Sequence, residues 1–136
     1  MATPPAADSP ALPRRLLVVD DEEKIREMLI RFFTMKGYDV RGVAGGAEAV
    51  ALLDAFPPDV VLLDLLMPGL NGIDTLKQLK QRRPHLKVIV LSAADLEQVA
   101  QGALALGADY YVCKPPSLAE MERLVSGFWP AHAHGR

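Results

Sequence analysis

Four apolar runs in this chain each end on polar residues: Leu16-Leu17-Val18-Val19 on Asp20-Asp21, Val60-Val61-Leu62-Leu63 on Asp64, Val88-Ile89-Val90-Leu91 on Ser92, and Tyr111-Val112-Cys113 on Lys114. Short aliphatic runs separated by helical stretches read as strands of a parallel sheet, buried on both faces. In such an open α/β sheet, ligands sit in the crevice outside the carboxyl ends of the strands. Residues far apart in sequence therefore converge there: three carboxylates, one hydroxyl and one ammonium. That set suits a divalent cation and a phosphoryl group.

The intervening sequence supplies five strand-helix units. The first strand is expected over residues 15–20. Its helix, 22–35, carries Ile25, Met28, Leu29, Phe32 and Phe33 at helical spacing and stops at Gly37. The second strand, 38–43, interleaves Asp39 and Arg41, as an edge strand does. A second helix spans 47–56, ended by Pro57-Pro58, and the third strand is 59–64. A loop with Pro68 and Gly69 leads to Asn71, the N-cap of a helix through 82 with Ile73, Leu76, Leu79 and Lys80 on one side. The fourth strand is 87–92. Asp95 caps a fourth helix to 106, closed by Gly107. The fifth strand is 110–113, after which Ser117 and Glu120 form a capping-box signature for a last helix to 128. Right-handed crossovers and an edge position for the second strand give a doubly wound five-stranded parallel sheet of order 2-1-3-4-5, the flavodoxin-like order, with helices on both faces. Its switch point lies between strands one and three, so Asp20, Asp21 and Asp64 face one another.

At 136 residues, half of them apolar, the chain is long enough for one domain with a substantial core. We expect a disordered leader over 1–13, the folded domain over 14–129 and a flexible tail over 130–136, whose His132 and His134 are read as inert. Fifteen basic against 17 acidic residues give a net charge of −2, with no general attraction to nucleic acid or anionic membrane. The lone Cys113 cannot form an internal disulfide. It is expected to pack in a buried strand and to suit a reducing compartment, which points to the cytoplasm. No apolar run approaches the roughly 20 residues that span a bilayer.

Asp20 and Asp21 precede a helix, and alone either reads equally as a cap. With Glu22 and Glu23 they make four acidic residues in a row, which repel unless solvated or neutralised. Asp64 ends a continuous apolar strand and caps nothing nearby. Carboxylate clusters without His or Cys select hard cations, Mg²⁺ being the usual one at phosphoryl sites. Lys114, the basic residue at this acidic end, is placed to pair with the carboxylates.

The segments LLVVDDEE, VVLLDLLMPGLNG, VIVLSA and GADYYVCKP resemble the signature segments of response-regulator receiver domains of two-component signalling, the single-domain chemotaxis regulators among them. The resemblance covers about residues 14–128. It implies Asp64 as phosphoacceptor, Asp21 as direct Mg²⁺ ligand, Asp20 as a ligand through water, and the Leu66 carbonyl as the third protein ligand. It makes Ser92 the switch hydroxyl, Tyr111 the switch aromatic and Lys114 the invariant lysine, with a cis Lys114–Pro115 bond. The implied function is Mg²⁺-dependent phosphoryl transfer to Asp64 from a histidine kinase or histidine phosphotransfer protein. There is no enzymatic role beyond self-catalysed phosphotransfer and autodephosphorylation.

The expected output is a downstream protein bound on the face of the fourth helix, fifth strand and fifth helix (Leu96, Val99, Ala100, Ala103 and Leu104 on the helix, with close packing of Ala100 and Ala103 on the sheet as the alternative for those two), by a monomer or weak dimer, without direct nucleic-acid or membrane contact. Met1 and the irregular tail favour a complete single-domain chain over a piece of a longer one. A nucleotide- or flavin-binding module would need glycines where Asp20–Glu23 stand, and an aspartyl phosphohydrolase would show Asp-x-Asp after the first strand. A non-phosphorylated interaction module on the same fold is the remaining alternative, separable by treatment with a small phosphodonor.

Overall fold

The computed structural model describes residues 14–65, 72–93 and 97–129. Strands β1 (Arg15–Val19), β2 (Asp39–Val43), β3 (Val60–Asp64), β4 (Lys87–Ser92) and β5 (Tyr110–Cys113) alternate with helices α1 (Glu23–Met35), α2 (Gly46–Leu52), α3 (Gly72–Arg82), α4 (Glu97–Ala105) and α5 (Leu118–Ser126). All neighbouring strands pair parallel, in the order β2-β1-β3-β4-β5, as expected from the sequence.

Side chains alternate across this sheet and divide the core in two. Leu17, Val19, Val61, Leu63, Val88 and Val90 pack with Ala49 and Leu53 near α2, Leu76 and Leu79 of α3, and Ala100 and Ala103 of α4. Leu16, Val18, Val60, Leu62, Ile89, Leu91 and Val112 pack on the other face with Leu29 and Phe33 of α1 and Met121 and Val125 of α5. At the amino ends of the strands, Asp59 accepts the Arg15 N–H at 2.9 Å and Asp109 the Val88 N–H at 2.9 Å, satisfying strand donors that have lost their ladder.

The helix stops follow backbone chemistry. Gly37 (φ 95°) and Gly107 (φ 112°) take the left-handed conformation after α1 and α4. Each closes a Schellman pair: Tyr38 N–H to the Phe33 carbonyl with Gly37 to Thr34, and Ala108 to Ala103 with Gly107 to Leu104. The Phe33 and Tyr38 rings then meet edge-to-face at 5.3 Å. Ser117 caps α5 by accepting the Glu120 N–H at 3.2 Å. The Lys114–Pro115 bond is cis.

Three expectations are corrected. The second helix ends at Leu52 and not at 56: the Leu53 N–H turns to the Val50 carbonyl at 3.3 Å, an i to i−3 bond that breaks the α pattern although Phe56 still donates to Leu52 at 2.9 Å. Pro57 leaves the Leu53 carbonyl without an N–H from that position. Arg83 takes that carbonyl instead, at 3.4 Å, together with the Asp54 carboxylate at 2.8 Å. The last helix ends at Ser126, two residues short of the expected end. Cys113 is exposed, since β5 is an edge strand with one flank unpaired. The leader 1–13, the tail with His132 and His134, the loop with Pro68, Gly69 and Asn71, and Asp95 lie outside the described residues.

Gly72 joins α3 to the site strand. Its N–H donates to the Leu65 carbonyl at 3.2 Å. A Cβ there would lie 2.3 Å from Leu65 Cα and 2.6 Å from the Asp64 carbonyl oxygen, so backbone would have to move. Gly72→Ala should therefore lower stability by about 1–3 kcal/mol, read as a fall in the urea midpoint. Gly102→Ala, where an added Cβ meets nothing within 4 Å, should raise it by up to about 1 kcal/mol. Equal midpoints for the two variants would show that the β3–α3 junction is slack.

Candidate phosphoryl and cation site

The sheet's side-chain alternation brings the charged groups together. Asp20, Asp64 and Lys114 continue the rows Leu16–Val18, Val60–Leu62 and Val112, which face α1 and α5. Ser92 continues the row Val88–Val90, which faces α4, and Tyr111 pairs with Val90 in the ladder. Asp20 and Asp64 are fully buried, 0% and 1% exposed, whereas Asp21 stands in solvent.

Burying two carboxylates costs several kcal/mol each unless a counter-charge is present. Lys114 supplies it. Its Nζ lies 3.3 Å from Asp20 Oδ2 and 3.2 Å from Asp64 Oδ2, and it also donates to Glu22 Oε1. The Lys114 N–H is tied to the Ser92 carbonyl at 2.8 Å, which fixes the lysine to the end of β4. Burial pushes the ammonium toward the neutral form, but Glu22, Asp20 and Asp64 outweigh it and raise its pKa above the ordinary value of 10.5. A raised lysine pKa means that the pairing is fully present below the ordinary value and is lost only as pH climbs past it. The pair stays intact throughout the neutral range.

Three carboxylates can hold a cation. One oxygen each from Asp20, Asp21 and Asp64 falls within a common span of 4.8 Å. Asp20 Oδ1 accepts the Glu22 N–H at 2.9 Å, while the buried Asp20 Oδ2 makes no hydrogen bond and is balanced by the Lys114 ammonium 3.3 Å away. An all-oxygen set of three carboxylates fits a hard divalent ion. Leu66, expected to add a carbonyl, lies outside the described residues.

Ser92 and Tyr111, the expected switch pair, lie on the α4-facing side of the sheet. Ser92 is 1% exposed, and its hydroxyl donates to the Ala93 carbonyl at 3.0 Å. Tyr111 is half-buried and packs on the α4-facing core. Two further residues belong to the site and were missed in the sequence. Glu22, read only as one of four acids, holds Lys114. Arg26, one helical turn on, donates from Nη1 to the Asp20 carbonyl at 2.8 Å, so Lys114 is not the only cation at this end. The i to i+4 spacing of Glu22 and Arg26 on one helix face was the available signal.

A family model described as the response regulator receiver domain matches residues 16–126. The response regulator MprA of Mycolicibacterium vanbaalenii is 39% identical over 110 residues, 81% of this chain and 48% of that protein. MprA of Mycobacterium avium is 37% identical over 107 residues, 79% of this chain and 47% of that protein. The chain thus spans about half the length of the curated relatives it matches. The receiver domain of the Francisella response regulator 1452 superposes with a TM-score of 0.76 at 34% identity, covering 83% of this chain and 93% of that one. The chemotaxis protein CheY4 of Vibrio cholerae reaches a TM-score of 0.79 at 24% identity over 85% of this chain and 98% of that one, a likeness of fold alone.

Removing Lys114 leaves two buried carboxylates without their counter-ion. Lys114→Met should lower the metal-free stability by on the order of 3 kcal/mol. Millimolar Mg²⁺ should restore a larger share of stability in the variant than it adds to the unaltered chain. Denaturation curves with chelator and with Mg²⁺ check both, and a variant as stable as the parent in chelator would show that the charges are not coupled.

Proposed function

This chain belongs to the response-regulator receiver domain family of two-component systems, and on that premise we propose that Asp64 is its phosphoacceptor. The observation that carries this reading is the Lys114 ammonium within 3.3 Å of the two buried carboxylates, Asp20 and Asp64, beside the exposed Asp21. The donor is a phosphohistidine on a histidine kinase or phosphotransfer protein, or a small acyl phosphate.

An Asp64 oxygen attacks phosphorus. A P–O bond forms as the P–N bond to the donor imidazole breaks, and the electron pair leaves on the imidazole nitrogen. The approach is opposed because nucleophile and phosphoryl group are both anionic. Asp20, Asp21 and Asp64 would hold Mg²⁺, whose positive charge would offset this repulsion. Lys114, 3.2 Å from Asp64 Oδ2, offsets further charge and orients the attacking oxygen. The product is an acyl phosphate bearing roughly −1.5 to −2 charges.

The Ser92 hydroxyl, now on the Ala93 carbonyl, turns to a phosphoryl oxygen. Ser92 and Tyr111 both lie on the α4-facing side, so the turn alters what Tyr111 packs against. The α4–β5–α5 face then binds a downstream protein. Its exposed apolar residues are Val99 (39%), Leu106 (41%) and Tyr110 (44%). Ala100 and Ala103, expected on that face, are fully buried against the sheet, and Leu104 packs on the core, so they contribute packing and not contact surface. Leu96 lies outside the described residues. The action is on a protein partner and not on nucleic acid or membrane. Among the described residues no helix is long and apolar enough to cross a membrane.

Intact mass after acetyl phosphate should show one added phosphoryl group with Mg²⁺, none with chelator, and none in Asp64→Asn. Uptake by Asp64→Asn at the parent level would move the acceptor elsewhere. Absence of uptake by the parent, from acetyl phosphate and from a phosphohistidine donor alike, would favour a non-phosphorylated interaction module.

In spectra recorded with beryllofluoride, amide shifts should spread from Asp64 to Val99, Leu106 and Tyr110. They should be confined to the pocket in Ser92→Ala. A silent α4 in the parent would reject the output face.

A further inference from the structure

We propose that Glu22 is a positioning residue that latches Lys114 in the unphosphorylated protein and competes with the phosphoryl group for it. The proposal rests on the reading of Asp64 as acceptor. An ammonium has three N–H donors and no more. In this structure its neighbours are three carboxylates: Asp20, Glu22 and Asp64. A phosphoryl group on Asp64 brings three acceptor oxygens and added negative charge to the same ammonium. Esterification removes the Asp64 carboxylate charge and frees one donor for the phosphoryl group; a second donor must come from Asp20 or Glu22.

The three partners are not equivalent. Asp20 and Asp64 are buried, and with Asp21 they form the cluster that suits a cation. Glu22 is outside that cluster, and its side chain is 57% exposed. Releasing Glu22 therefore returns its carboxylate to water at little cost, whereas releasing Asp20 strands a buried charge. Glu22 also has no other assigned duty: at the N-cap of α1 its side chain makes no capping bond. Glu22 is the partner that lets go. While it holds, it keeps Lys114 stretched over the carboxylates and lowers the ammonium's availability to an incoming phosphoryl group.

Glu23, the neighbouring acid in the first turn of α1, has the same charge and is exposed, so it controls for a general electrostatic effect. In the metal-free, unphosphorylated protein, Glu22→Gln should speed hydrogen exchange at Lys114 Nζ and shift its ¹⁵N resonance, while Glu23→Gln leaves both unchanged. With Mg²⁺ present, Glu22→Gln should tighten beryllofluoride binding about three- to five-fold more than Glu23→Gln does, the scale of one exposed ion pair. Glu22→Asp, shortened by one methylene, should match Glu22→Gln at Lys114 while keeping the charge.

An unmoved Lys114 signal in Glu22→Gln overturns the latch, as does equal tightening by the two glutamine variants. If the unaltered protein binds no beryllofluoride, the acceptor reading fails and takes the competition with it. The Lys114 exchange measured in the metal-free protein distinguishes that failure from failure of the latch itself.

Discussion

The structure turns on one ammonium group placed among carboxylates that the fold has removed from water. Asp20 and Asp64 end neighbouring strands on the same face of the sheet, and neither is tolerable there as an unpaired anion. Their counter-ion comes from β5, separated from β3 by the whole width of β4. Adjacent strands lie about 4.8 Å apart, so the β5 and β3 backbones are roughly 10 Å apart, a gap that the cation's stem, the 3.2 Å contact and the aspartate side chain must together span. A lysine stem anchored beyond the strand end can do this, and a shorter cation cannot. The passage is open because the residue continuing the β4 row on that face is Ala93, which offers only a methyl group. The backbone bond from Lys114 to the Ser92 carbonyl sets the starting point of that reach.

One ammonium does not balance the cluster. Asp20, Asp21, Glu22 and Asp64 bring four negative charges to a region where Lys114 is the side-chain counter-ion and Arg26 serves the backbone. The fold handles the excess by exposure, keeping Asp21 and Glu22 in water while Asp20 and Asp64 are buried. Asp20 Oδ2 makes no hydrogen bond and has only the Lys114 ammonium, 3.3 Å away, to balance it. A site with that residual charge gains from any added cation, and this couples ion binding to stability before any chemistry takes place.

Much of this was legible in the sequence because the sheet obeys a period of two. Reading back from Asp20, Asp64 and Lys114 by two residues lands on Val18, Leu62 and Val112, all on one face. The same step from Ser92 lands on Val90, on the other. Gly37, Gly107 and Ser117 marked helix ends because each has a local backbone duty. What escaped depended on contacts between elements. After α2 the chain tightens at Leu53, whose N–H bonds to Val50, and its carbonyl is taken by an arginine arriving from beyond α3. Cys113 was misjudged because burial at β5 depends on the missing neighbour of an edge strand. Ala100 and Ala103 looked like surplus apolar surface, yet small residues are what lets α4 lie close to the sheet. Glu22 was one acid among four until three-dimensional proximity singled it out.

Helices α1 and α4, on opposite faces of the sheet, differ in how firmly they are held. On one face α1 is anchored by Leu29 and Phe33, with the Phe33 ring edge-to-face with Tyr38 and Tyr38 meeting Trp129 at 6.1 Å. Aromatic burial of that size contributes several times what a methyl group does. On the other face the fully buried described residues of α4 are Ala100 and Ala103. Each offers one methyl group, worth on the order of 0.8 kcal/mol when buried. Gly102 weakens the helix between them by up to about 1 kcal/mol relative to alanine. An equal push from the carboxyl edge of the sheet therefore displaces α4 more readily than α1. Ser92 and Tyr111, the pair proposed to answer a change at Asp64, stand on the α4 side, against the element that resists least.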